Sequence, residues 1–159
     1  TMKKQFAAAW KIFDHILDGL SKDEVDTRRV IYLNLGHICQ KTGELEEALE
    51  YFEDAIELSR SSLPSHYMIR PICNKALIMC ELGNFDKSIE VIREAEELAK
   101  DSENTSDLLE VYYRYSDIYE NWDKPKEQVV YLKKIIKLER EIYDNICKEE
   151  IRAFKSKNK

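Results

Sequence analysis

Apolar residues recur along much of this chain at three- and four-residue intervals, the spacing that lines one face of an α-helix. Residues 4–20 carry Phe6, Ala9, Trp10, Phe13, Ile16 and Leu17 in that rhythm, which predicts an N-terminal helix. A longer period lies on top of the short one. Gly43, Gly83 and Asp123 stand forty residues apart, each after an apolar helical stretch. Eleven residues before each of these turns come Tyr32, Ile72 and Tyr112. Seven before come Gly36, Ala76 and Ser116, all small. Five after come Ala48, Ser88 and Gln128, and nine after come Phe52, Ile92 and Leu132. Small residues let two helices approach closely, and the large ones fill the space between them. Each unit therefore reads as a helix, a short turn and an antiparallel helix, over 29–62, 69–102 and 109–142. One hairpin cannot bury both of its faces, so the copies are expected to stack into a continuous core.

The segments 60–65 and 101–106 have turn composition and are expected to join the units, with Ser65 or Ser106 as a helix cap. Pro71 falls inside the first helix of the second unit and should bend or delay it. Pro125 sits where a first helical turn accepts proline. The helix starting near Lys126 meets no breaker through Ile142, Tyr143, Ile146, Ile151 and Phe154. Residues 143–158 are thus expected to cap the array or connect it to something else, and 1–159 reads as one domain. Ala9, Phe13 and Ile16 fit the pattern of a unit's second helix, which leaves 4–20 either a lone cap or the remnant of a longer array.

Tyr32-x-x-Leu35-Gly36-x-x-Cys39-x-x-x-Gly43, followed by Ala48, Phe52 and Ala55, resembles the tetratricopeptide (TPR) repeat consensus. The second unit resembles it in Glu81-Leu82-Gly83-Asn84-Phe85 and departs at Lys75, where the family places a buried Leu. The third keeps Tyr112, Ser116, Tyr119 and Leu132. The resemblance implies an all-α, right-handed superhelical solenoid of antiparallel helix pairs. It also implies a binding module for a protein or peptide, with the first helices lining a concave groove. On that frame the groove shows Asn34, His37 and Lys41 from the first unit, Arg70 and Asn74 from the second, and Tyr113, Arg114 and Asp117 from the third, with Leu33, Cys73 and Cys80 among them. Asn34 and Asn74 hold equivalent places. An Asn amide both donates and accepts, so it suits either clamping a peptide backbone or bonding a neighbouring helix. Two of the five residues that grip chaperone C-terminal carboxylates in this family are present, Asn74 and Arg114. Leu33, His37 and Glu110 fail the pattern, so that subtype is not expected. The last helix is similar to exit helices of TPR sensor regions in bacterial signalling proteins, and the forty-residue units are similar to receptors for peptide pheromones in transcriptional regulators. A scaffold that dimerises through Ile142, Ile146, Ile151 and Phe154 is the other class.

Composition narrows the rest. Hydrophobic residues make up 43% and charged residues 35%, with only four Gly and three Pro in 159 residues. That balance favours long helices with solvated outer faces over sandwiches and barrels. A net charge of −6 argues against nucleic acid as a partner. The cations at 148, 152, 155, 157 and 159 suit a helix C-terminus. The longest apolar run near the start, 6–10, is too short for a membrane span or export signal, so a cytoplasmic location is expected. Cys39, Cys73, Cys80 and Cys147 lack zinc or redox spacing and are expected to act as small buried hydrophobes. His15, His37 and His66 have no catalytic partner at short spacing. No phosphate loop or nucleophile motif is present, so catalytic residues, metals and cofactors are not expected.

Overall fold

A computed structural model describes residues 2–157; Thr1 and the last two residues of the basic tail, 158–159, lie outside the described residues. The described residues form seven α-helices and no strand. They are α1 (Met2–Gly19), α2 (Val25–Thr42), α3 (Leu45–Ser62), α4 (Ile69–Glu81), α5 (Phe85–Asp101), α6 (Thr105–Asn121) and α7 (Pro125–Lys157). α2 packs on α3, α4 on α5 and α6 on α7, and each pair packs on the next. The result is an all-α TPR-like solenoid.

The three turns are the same structure built three times. Glu44 N–H donates to Cys39 O at 2.9 Å, Asn84 N–H to Met79 O at 2.8 Å and Lys124 N–H to Tyr119 O at 2.9 Å. These six-to-one bonds close the first helix of each unit as Schellman motifs, which need a residue of positive φ. Gly43 (φ 88°) and Gly83 (φ 79°) supply it without a Cβ penalty, and Asp123 adopts φ 55° in the third unit. Asp is among the few non-glycine residues that enter this region readily, which is why the glycine is dispensable there.

The units begin earlier than the spacing predicts. α2 and α6 begin at Val25 and Thr105, each a full turn before the expected starts at 29 and 109. In the second unit that turn is a 3-10 helix, Ser65–Met68. Pro71 explains the difference. It has no N–H to give to Tyr67 O, and its ring would crowd that carbonyl, so α-helix starts only at Ile69 and Pro71 falls in its first turn. Neither serine caps as expected. Ser65 opens the 3-10 turn, and Asn104 caps α6 by accepting from Ser106 N–H at 3.0 Å.

Inside each hairpin the small positions meet. A Cβ on Gly36 would stand 2.6 Å from the Phe52 ring. In the second unit Ser88 Oγ donates to Ala76 O across the helices at 2.6 Å. One apolar cluster centres on Phe52, with Leu33, Ala48, Ala55 and Ile78. A second runs through Ile72, Ala76, Ile92, Val111, Tyr115 and Ile118. Cys39, Cys73 and Cys80 are buried in these clusters, whereas Cys147 is half-buried on α7. Lys75 lies partly covered with its Nζ 2.9 Å from Glu53 of α3, which resolves the departure at that position.

Candidate functional site

α2, α4 and α6 are the first helices of the three units, and their side chains meet along one face. Asn74 Nδ2 lies 3.3 Å from His37 Nε2. The pair hydrogen-bonds between α2 and α4, with the donor and acceptor roles set by the imidazole tautomer. Desolvation lowers the His37 pKa first, and the Arg114, Arg70 and Lys41 cations lower it further; a hydrogen bond with Gln40 acts the other way. The ring also sets its edge against Phe52, with centroids 5.4 Å apart. Gln40 Nε2 donates in turn to Glu81 of α4.

The α4–α6 part of the face is charged. Arg70 Nε is 3.7 Å from Glu110 Oε1, and the same oxygen is 4.0 Å from Arg114 Nη2. Arg114 Nη1 donates to Asp117 at 3.2 Å. The Arg114 Nε is buried without a hydrogen-bond partner. Arg70, Tyr113, Arg114 and Asp117 line an open groove of about 400 Å³. The Tyr113 hydroxyl donates to Glu139 of α7, which raises its pKa through that bond.

The expected residues therefore divide. Arg70, Arg114 and Asp117 line one groove; His37 is not among its lining residues, though Arg114, Arg70 and Lys41 are near enough to act on its charge. Tyr113 joins them while tethered to α7. Asn34 is half-buried on α2, and Asn74 is only 5% exposed with its amide engaged by His37. Leu33, Cys73 and Cys80 do not surface in the groove; at 6%, 0% and 4% exposure they belong to the core clusters. Glu110, the hinge between the two arginines, gained its meaning only from the fold, because nothing in its spacing marks a residue that bridges two helices.

The other tyrosines of α6 pack inward against Tyr131 of α7. Tyr115 and Tyr131 stack at 4.2 Å, and Tyr112 and Tyr119 pack against the same Tyr131 at 5.8 and 5.7 Å. Burial drives the Tyr115 hydroxyl well above its ordinary pKa and takes that of Tyr131 to about 12. Among the described residues no group of three or more metal-ligating side chains is assembled, and no helix is long and apolar enough to cross a membrane.

Two tetratricopeptide repeat family models match the chain, one over residues 26–101 and one over 109–142. Solved structures resemble it at low identity. Two are of a putative kinesin light chain from Podosopora anserina with nearly identical TPR-like repeats. The first is 13% identical with a TM-score of 0.67, over 88% of this chain and 68% of that one. The second, a substituted form of the same protein, is 12% identical with a TM-score of 0.72, over 90% and 69%. BtubC (BKLC) from P. vanneervenii is 14% identical with a TM-score of 0.54, over 89% and 76%. No curated protein matches the chain.

Proposed function

Because the chain belongs to the tetratricopeptide repeat family, whose repeats mediate protein–protein interaction, we propose that it is a non-enzymatic module that holds an extended peptide along α2, α4 and α6. The observation that carries this reading is the open groove between α4 and α6, walled by Arg70, Tyr113, Arg114 and Asp117. Its polar groups lie on helices buttressed from behind, and such pre-organisation limits the ordering cost of binding. Arg70 is 65% exposed and holds Glu110 only at 3.7 Å, so it has donors to spare for an acidic side chain of the ligand. Asn34 is the better amide for the peptide backbone, since Asn74 already serves His37.

Peptides selected from a random display library against the chain test this reading. The selected peptides are expected to carry Asp or Glu. Asn34→Ala should weaken them by roughly 1–3 kcal/mol, the cost of stranding a buried hydrogen-bond partner. Arg70→Glu should weaken them by about tenfold or more. Unchanged melting temperatures would separate this from misfolding. Peptides that bind both variants undiminished place the site elsewhere.

A second reading, self-association as a scaffold, draws support from α7. Ile146 and Ile151 on it are 49% and 54% exposed, and Tyr143 is 67% exposed. Sedimentation equilibrium decides it, because a chain that stays monomeric at every concentration has no such role. The length of α7 is also what a connector in a signalling protein would need.

A further inference from the structure

The second helix of a unit carries the first helix of the next on one face. α4 lies on that face of α3, and α6 on that of α5. Phe52 and Ile92 are 0% exposed there, but Leu132, the residue in register on α7, is 39% exposed. One turn along, Ile56 and Glu96 are 7% and 9% exposed, whereas Ile136 is 57% exposed. Val129, in register with the half-buried Leu49 and Ile89, is exposed as well. α7 thus shows an aliphatic stripe at helical spacing where α3 and α5 are each covered by another helix.

The charges beside the stripe define the helix that fits it. Residues three, four and seven apart share one side of a helix. On α3 the row next to Phe52 and Ile56 is Glu46, Glu53, Glu57 and Arg60; on α7 it is Lys126, Lys133, Lys137 and Arg140, all four exposed. The α3 row meets its covering helix through Glu53, whose carboxylate is 2.9 Å from Lys75 Nζ of α4. Lys133 holds the place of Glu53 with the opposite charge. Among the described residues Lys137 alone of the four has an ion-pair partner, Glu141 at 3.9 Å on the same helix. Glu139, on the other side of the stripe, accepts from the Tyr113 hydroxyl.

We propose that this face of α7 docks an amphipathic helix of a partner protein, with aliphatic residues on Val129, Leu132 and Ile136 and an Asp or Glu against Lys133. The helix lies on α7 as α4 lies on α3, its acid at the place of Lys75, so the ion pair is kept with its polarity reversed. Burial of the stripe drives association, and the cationic row selects the partner. A second copy fits less well, because its α7 brings the same four cations to the row. The face shares no residue with the lining of the α4–α6 groove, so it stands or falls independently of the peptide-binding reading.

Two alanine-based helical peptides serve as probes on the full chain, followed by backbone amide NMR. Both carry Leu at the places of Met68, Ile72 and Met79; one has Glu at the place of Lys75, the other Lys. The Glu peptide is expected to shift the amides of Val129, Leu132, Lys133 and Ile136 saturably. It should bind about fivefold more tightly than the Lys peptide, the upper range for one exposed ion pair. Lys133→Glu should invert that preference, and Ile136→Ser should weaken both peptides. Lys133 and Ile136 are exposed, so both variants keep the fold, which far-UV circular dichroism checks. Arg70→Glu should change neither affinity. The proposal is overturned by the absence of a saturable shift, by equal binding of the two peptides, or by a preference for Glu that survives Lys133→Glu. It also fails if Arg70→Glu weakens the peptides and Ile136→Ser does not, or if the same amides shift when the chain alone is concentrated.

Discussion

Phe52→Ala is expected to lower the unfolding free energy by about 3–5 kcal/mol, the range for truncating a fully enclosed aromatic. Phe52 is 0% exposed and is the largest side chain in the cluster it shares with Leu33, Ala48, Ala55 and Ile78. Its ring touches the Gly36 backbone on one side and the His37 imidazole on another. These neighbours lie on stiff helices and cannot collapse into the space, so the cavity term adds to the lost transfer energy. The loss is a large share of the ~5–15 kcal/mol that stabilises an ordinary domain. Urea melts followed by circular dichroism measure it. A loss below ~1 kcal/mol would mean that the first unit is far more loosely packed than its burial implies.

Gly36→Ala is expected to destabilise even though alanine is the better helix former. Propensity favours Ala by about 1 kcal/mol. Against that, the new Cβ would lie 2.6, 2.8 and 2.9 Å from three carbons of the Phe52 ring. Overpacking of this kind costs about 1–3 kcal/mol when the neighbour cannot retreat, and a fully buried ring cannot. The second unit shows the remedy, because Ala76 there faces Ile92 in place of a phenylalanine. Combining Gly36→Ala with Phe52→Ile should therefore cost less than the two single changes summed, by about 1 kcal/mol or more in a double-mutant cycle. Additive costs would show that the close approach is not what selects glycine.

The same positions show why much of the fold was legible. Close helix approach demands small residues at fixed intervals, and a repeated hairpin writes that demand three times forty residues apart. Even the third unit, whose glycine is gone, is held by the period, since Asp123 can take the backbone conformation that Gly43 and Gly83 take. Helix starts were less legible. α2 starts without a side-chain cap, α6 is capped by Asn104 in place of the expected serine, and the 3-10 turn before α4 depends on a single missing N–H at Pro71.

The candidate site was legible only as a list of facing positions. Periodicity says that Asn74 points toward α2, but it cannot say that His37 is there to engage it. Glu110 could be seen as a negative charge on the face, but not as the carboxylate lying between Arg70 and Arg114. Contacts between units depend on how far each helix slides past the next, and no single hairpin encodes that.

α7 carries one further consequence. It runs unbroken from Pro125 to Lys157, about 50 Å at 1.5 Å per residue, while α6 beside it has 17 residues and spans only about half that. The inner half is clamped where Tyr131 inserts among Tyr112, Tyr115 and Tyr119. Mechanically this is a beam fixed at one end. A small tilt at the tyrosine clamp becomes a sweep at the far tip, proportional to the overhang and undamped by any hinge. Tyr113 links that beam to the α4–α6 groove through Glu139, so the chain has the parts of a lever: fulcrum, load arm, and a handle within reach of the groove.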